Sequence, residues 1–298
     1  MEQKCFIKEK RGGRMKLIEL IKKIFLLGIQ RKVVRAEDIG KAYTFVSDCY
    51  ENTFLKEMHV YNDEVLNAFI EALPTDTKGL LDLACGTGYN SEVLARVYTQ
   101  AQFYLVDISK GMLEEAKKKQ MRTASFIQKD MLGFLKEQPD ESLDGVICCW
   151  AIKYQPPRQI IKEVYRILKP GGIFGVLVNT KKTLPEIRKI YPSLLLKHPE
   201  TIQRIMFNLP NPNNKLVFLK WFKKARFQVL RAEEGKRVFH FRNEEKLIEW
   251  VTHTGALAGF DCMLDLQNQE IKKSLEASLM KKRIHSVTHR FVWAILKK

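Results

Sequence analysis

No two of the six cysteines stand as a C-x-x-C pair, so neither a zinc site nor a disulfide framework is expected, and a reducing cytosol is the plainest compartment. No apolar run is long enough to cross a bilayer, and no small-residue cleavage pattern follows the longest one. Internal repeats and low-complexity tracts are absent as well. Acidic residues are scarce: 34 Asp and Glu stand against 51 Lys and Arg, a net charge of +17. Such an excess draws anions, whether nucleic acid, membrane surfaces or acidic metabolites and carriers. An RNA-binding modification factor is an alternative that the charge alone suggests, but none of the aromatic-interleaved basic motifs of RNA modules is visible, so nucleic acid is not the expected partner. What the chain does have is length and apolar content, 298 residues at 45%, enough for a full α/β core with additions.

Leu80-Leu81-Asp82-Leu83-Ala84-Cys85-Gly86-Thr87-Gly88-Tyr89-Asn90 organises the rest. Its apolar start reads as a buried strand, which the glycines turn into a helix opening near Asn90. Glycine there admits a ligand to the backbone. Asp107 ends the next apolar run, roughly twenty residues on, where such folds hold a carboxylate for a ribose diol. A dinucleotide turn wants a third glycine and a P-loop wants a lysine; Tyr89 and Asn90 supply neither.

Strand and helix patterns then alternate: 80–84, 90–98, 102–106, 110–119, 125–128, 131–137, 143–149, 158–168 and 173–179. That rhythm predicts a parallel sheet covered on both faces, with ligands at the carboxyl ends of its strands. Before it, 62–73 reads as a helix opened by Asn62-Asp63-Glu64, and 36–61 carries Tyr43, Tyr50, Phe54 and Tyr61 as a lid segment would. Residues 16–34 form a basic amphipathic helix that either caps the pocket or rests on an anionic membrane. After Asn179 a proline-punctuated helical stretch runs to 215. A helix follows over 218–225, then an extended segment over 227–241 bent near Glu234-Gly235, helices over 243–254 and 270–282, and a last strand over 289–296.

Asp82-Leu83-Ala84-Cys85-Gly86-Thr87-Gly88, Val106-Asp107-Ile108-Ser109 with Met112, Lys129-Asp130-Met131, Leu143-Asp144-Gly145-Val146 and Leu168-Lys169-Pro170-Gly171-Gly172 resemble, in order and spacing, the motifs of class I S-adenosylmethionine-dependent methyltransferases. The resemblance implies an α/β, Rossmann-like seven-stranded sheet with helices on both faces, an N-terminal helical cap and a helical insertion after the fifth strand. The expected divisions are 1–35 as basic extension and helix, 36–179 as cofactor domain with lid, 180–226 as substrate-covering insertion and 227–298 completing the sheet. The implied cofactor is S-adenosylmethionine, leaving as S-adenosylhomocysteine, and no metal is implied. By that likeness Ala84, Cys85, Gly86, Thr87 and Gly88 approach its amino-acid end, while Asp82 orients the loop or receives the ammonium. Asp107 takes the ribose hydroxyls, Ile108 and Met112 flank the adenine, and Asp130 and Met131 meet its edge. Cys149 opens the loop at the methyl. Tyr43 and Tyr50 close over the methionine moiety or pack the lid onto the core; Asp130 also suits a helix N-cap.

Val238-Phe239-His240-Phe241 followed by Leu247-Ile248-Glu249-Trp250-Val251-Thr252-His253-Thr254-Gly255 resembles trans-aconitate methyltransferases, with weaker similarity to malonyl-carrier-protein and juvenile hormone acid methyltransferases. These relatives imply a small or carrier-bound carboxylic acid as acceptor. Lys153, where the trans-aconitate enzymes have a Gln-Trp pair with Tyr154 as its second position, would hold one carboxylate oxygen unless it is a plain exposed loop lysine. Tyr154 and His240 would wall the pocket. A lipid or quinone headgroup, with the 16–34 helix on the membrane and the protein peripheral to it, is the alternative. The Asn/Asp-Pro-Pro-Tyr element of DNA-methylating members is missing after Cys149.

Overall fold

In the computed structural model, which describes residues 2–52, 56–206, 209–253, 263–266 and 268–298, the Leu80-Leu81 pair sets the layering of the chain. Successive strand side chains leave on opposite faces, and strand β1 (Gly79–Leu83) is buried on both. Leu80 joins an apolar cluster with Phe69, Leu94 and Leu113, whereas Leu81 joins a second with Phe134, Ile160 and Val164. The remaining strands are β2 (Gln102–Asp107), β3 (Ala124–Gln128), β4 (Leu143–Cys149), β5 (Leu168–Asn179), β6 (Gln228–His240) and β7 (Ser286–Lys297). They form a seven-stranded sheet in the order β3-β2-β1-β4-β5-β7-β6. The first five run parallel, and β7 runs antiparallel to both its neighbours.

Helices α1 (Glu2–Ile29), α2 (Ala36–Phe45), the short α3 (Ser47–Tyr50) and α4 (Lys56–Ala72) precede the sheet. Between strands lie α5 (Tyr89–Val97), α6 (Lys110–Lys117), α7 (Met131–Glu137), α8 (Pro157–Ile167), α9 (Pro185–Lys197) and α10 (Lys215–Lys223). Before β7 come α11 (Glu244–His253) and α12 (Gln269–Lys281). Apolar residues of α4, α5, α6, α9, α11 and α12 join the first cluster; those of α7, α8 and α10 join the second. This is the three-layered, seven-stranded arrangement the motifs imply. No helix among the described residues is long and apolar enough to cross a membrane.

Four local expectations are corrected. Helix α4 starts at Lys56 rather than at Asn62, because Met58, Val65, Leu66 and Phe69 share one buried stripe with Asn62 in its middle. The pairing irregularity falls not at Glu234-Gly235, where β6 stays in register with β7, but between Val229 and Arg231. Gly235 is needed for a different reason, since a Cβ there would stand 2.2 Å from the Phe291 ring. The helical stretch expected to 215 stops at Lys197, a single 3-10 turn follows at Pro199–Thr201, and Asn214, whose side chain accepts the Val217 N–H at 2.9 Å, opens α10.

The fourth concerns α1, which starts earlier than expected, ends at Ile29, and does not cap the cleft. It lies against α9, with Lys16 Nζ donating to the Lys197 carbonyl at 2.6 Å and Lys23 Nζ to that of Glu200 at 3.3 Å. The chain after it is pinned by backbone bonds from Val34 to Ile205 and from Ile205 to Lys32, each 2.9 Å.

Candidate functional site

Parallel strands whose connections leave in opposite directions open a crevice at their carboxyl ends. Here β1 and β4 are those neighbours, and each is followed at once by a strained residue: Ala84 at φ 62° and Trp150 at φ 66° hold left-handed backbone without being glycine. A cleft of about 870 Å³, its mouth included, starts between them. Ala84, Cys85, Gly86 and Thr87 line it from the first turn, Asp107, Ile108 and Met112 from the second, Asp130 and Met131 from the third, and Cys149 from β4. Tyr43 and Tyr50 line it from α2 and α3, and Tyr154 from the loop after β4.

Asp107 ties the first two turns together. One oxygen accepts the Gly86 N–H at 2.9 Å, and the other accepts the Ser109 N–H at 2.8 Å. Burial raises its carboxyl above the usual range, while those backbone donors pull the other way. Gly86, at φ +56°, has open space where a Cβ would stand, so a ligand reaches its backbone directly. Gly88, at φ +79°, does not line the cleft; it lets α5 begin close to Ala116, 3.1 Å from where its Cβ would be. Asp82 also lies behind the cleft rather than in it. It is buried, accepts the Ser91 hydroxyl at 2.8 Å, and is raised to about 7 chiefly by desolvation, against hydrogen bonds from Ser91 and Asn90. Asp130 caps α7, accepting the Gly133 N–H at 2.9 Å and the Gln155 amide at 2.7 Å. Burial works against its charge, but these donors outweigh burial and hold its carboxyl below the usual range.

Helices α2 and α3 line the cleft in the segment expected as a lid. Gly40 lets α2 sit on the second turn, where a Cβ would fall 2.9 Å from the Ile108 side chain, and Thr44 Oγ1 meets Ser109 Oγ at 2.8 Å. Tyr43 crosses the cleft: its hydroxyl lies 2.9 Å from that of Tyr154, and its ring is edge-on to Tyr50.

The other two residues singled out for the acceptor stand elsewhere. Lys153 does not line the cleft. The turn at Ile152–Tyr154 folds it inward, where its ammonium meets the Trp150 carbonyl and lies 4.3 Å from the Tyr154 ring centre. Burial lowers it to about 7. His240 is exposed at the end of β6, away from the cleft lining. Phe54, Thr254 and Gly255 lie outside the described residues.

Sequence reasoning passed over a buried polar chain at the floor. Trp150 Nε1 donates to Asn62 Oδ1 at 3.0 Å, and Asn62 Nδ2 donates to Asn90 Oδ1 at 2.7 Å. All three residues line the cleft, with Ala36, Ile39, Tyr89, Lys129 and Gln155. The available signal was Asn62 recurring at helical spacing with Met58 and Phe69.

S-adenosylmethionine fits these residues. The bare Gly86 backbone suits its amino-acid end, the outward lone pairs of Asp107 suit a ribose diol, and the buried Thr87 hydroxyl lines the cleft without a partner among the described residues. When bound, it supplies an electrophilic methyl on a sulfonium.

Known proteins bear on this directly. Residues 80–172 match the family model of a methyltransferase domain. The biotin biosynthesis bifunctional protein BioHC of Teredinibacter turnerae is 36% identical over 122 residues, 38% of this chain and 21% of that protein. Demethylmenaquinone methyltransferase of Symbiobacterium thermophilum is 39% identical over 111 residues, 34% of this chain and 43% of the relative. The Staphylococcus aureus enzyme of the same name is 29% identical over 163 residues, 53% and 64% of the two chains. This chain thus spans less than two thirds of the length of each of these relatives. They support the broad methyltransferase resemblance rather than the narrower one to trans-aconitate enzymes. Among solved structures, a Bacillus halodurans C-125 protein superposes with TM-score 0.53 at 17% identity, covering 78% of this chain and 98% of that one. The YcgJ protein of Bacillus subtilis gives 0.52 at 16%, covering 79% and 98%. At that identity the likeness concerns the fold. Residues 80–172 thus match a methyltransferase-domain model and lie on a seven-stranded sheet whose strand order is that of the class I methyltransferase fold.

Proposed function

We propose that this chain transfers the sulfonium methyl to an oxygen of a small or carrier-bound carboxylic acid. The supporting observation is the pair of phenol hydroxyls, Tyr43 and Tyr154, set 2.9 Å apart at the end of the cleft past β4. The two hydroxyls hydrogen-bond each other, and a carboxylate oxygen entering beside them would take over one of these O–H donors while the other oxygen faces the methyl. A carboxylate is ionised at neutral pH and nucleophilic as it stands, so positioning and exclusion of water supply the acceleration and no general base is required. Lys153, beneath Tyr154, acts in this reading as a positioning residue for that ring, and the +17 charge favours arrival of an anion.

A quinone or lipid headgroup is the second reading, favoured by the aromatic walls of Tyr43, Tyr50, Trp150 and Tyr154, which suit a planar ring. Incubation with methyl-labelled cofactor and a panel of carboxylic acids, acyl carriers, quinols and phenols separates the two. A methyl ester gives up its label in alkali, as the first reading requires; label resistant to alkali, found on a quinol or phenol alone, overturns it.

A further inference from the structure

Helix α1 has two apolar faces and uses one. Leu27 is buried and Leu20 half-buried on the side that meets α9 and the turn at Pro199–Thr201. At about 100° per residue, Ile18, Ile21, Phe25 and Ile29 fall within one arc roughly opposite that side. They are 49%, 58%, 70% and 65% exposed. Eight of the fifteen exposed large apolar side chains among the described residues stand on this helix, so the exposure is a patch and not scatter.

Charge identifies what covers it. Residues 14–35 hold seven Lys and Arg and one acidic residue, Glu19. Arg14 and Lys22 are exposed beside the apolar row, and Arg31 and Lys32 are exposed just beyond it. Two copies of this helix placed face to face would bring like charges together; an anionic surface meets them with opposite charge.

We propose that α1 lies in the interface of an anionic phospholipid bilayer, with Ile18, Ile21, Phe25 and Ile29 in the acyl boundary and the flanking cations on headgroup phosphates. Docking there brings the membrane next to the lid, since α2 begins at Ala36 and its Ala36, Ile39 and Tyr43 line the cleft. The inference is independent of the acceptor's identity.

The test is vesicle flotation of the full chain on phosphatidylcholine vesicles with and without phosphatidylglycerol. Binding is expected only with the anionic lipid and weakens as salt is raised. Phe25→Glu and Ile21→Glu each lower it at least about tenfold, with unchanged melting temperature and cofactor affinity. Absence of binding to the anionic vesicles, or binding that both variants retain, overturns the proposal. So does a dimer in sedimentation velocity that Phe25→Glu converts to monomer, because the patch is then covered by a second copy.

Discussion

Removing the Asp107 carboxylate perturbs the cleft at its most heavily shared group. A carboxylate offers about four lone-pair positions. The N–H groups of Gly86 and Ser109 occupy one on each oxygen, at 2.9 and 2.8 Å, leaving one on each for the two ribose hydroxyls. A hydrogen bond to a charged group is worth about 1.5–3 kcal/mol net. Losing two costs about 3 kcal/mol even at the low end, and at 1.4 kcal/mol per decade the dissociation constant rises about 150-fold. Asp107→Ala should show that loss in calorimetric titration with S-adenosylhomocysteine. Asp107→Asn keeps the shape, yet its amide hydrogens must confront the N–H of either Gly86 or Ser109, so it is expected to lose nearly as much. Melting curves without ligand separate damage to the turn from loss of ligand bonds. Affinity within about threefold of the parent in both variants, at unchanged melting temperature, would refute the assignment.

Gly86→Val puts a branched side chain into the cleft at φ +56° and is expected to weaken cofactor binding at least about tenfold by calorimetry, through strain and blocked approach together. Lys153 falls from its ordinary 10.5 to about 7 through burial, so its contribution to stability is present at high pH and is lost as pH falls through about 7. Lys153→Met should therefore gain stability over the parent as pH drops, by about 1–4 kcal/mol at mildly acidic pH, with cofactor affinity unchanged. Asp82 has the opposite sign: raised by burial from 3.8 to about 7, it favours folding while protonated and loses that contribution as pH rises through about 7. Asp82→Asn should gain stability relative to the parent progressively as pH rises from about 4 to about 7 and keep that gain above it; a constant difference in melting temperature across that window would remove the assigned shift.

Elements decided by neighbours in sequence were legible before any coordinates. Helix α7 and strand β4 begin and end where periodicity placed them, at Met131–Glu137 and Leu143–Cys149, because one carries its own N-cap and the other an unbroken apolar run. Contacts between distant segments were not legible. The role of Asn62 depends on Trp150 and Asn90 arriving from elsewhere in the chain. Gly40 and Gly111 look like unremarkable helix residues until α2 and α3 rest on the second turn and α6, where their Cβ atoms would be 2.9 Å from Ile108 and 2.5 Å from Ser47. Periodicity shows that α1 has an apolar face but not which neighbour takes it. A cation after β4 suits either a carboxylate contact or a plain exposed loop position for Lys153; the turn at Ile152–Tyr154 decides its direction, and it turns inward.

That inward turn has an electrostatic consequence for the cleft. Cys148 feels the charges of two buried groups, Asp82 and Lys153, and burial moves both toward neutrality near pH 7 from opposite sides. A permanently charged ammonium under Tyr154 would set a like charge beneath the wall of a cleft that receives a sulfonium, and in a low-dielectric interior such repulsion is poorly screened. With Lys153 lowered to about 7, about half of that charge is gone at neutral pH. An arginine at the same position could not deprotonate, so Lys153→Arg should weaken S-adenosylmethionine more than S-adenosylhomocysteine, which has the same shape without the sulfonium charge. If the two ligands lose affinity equally, the charge of residue 153 is not felt in the cleft, and Lys153 supports the Tyr154 ring through packing alone.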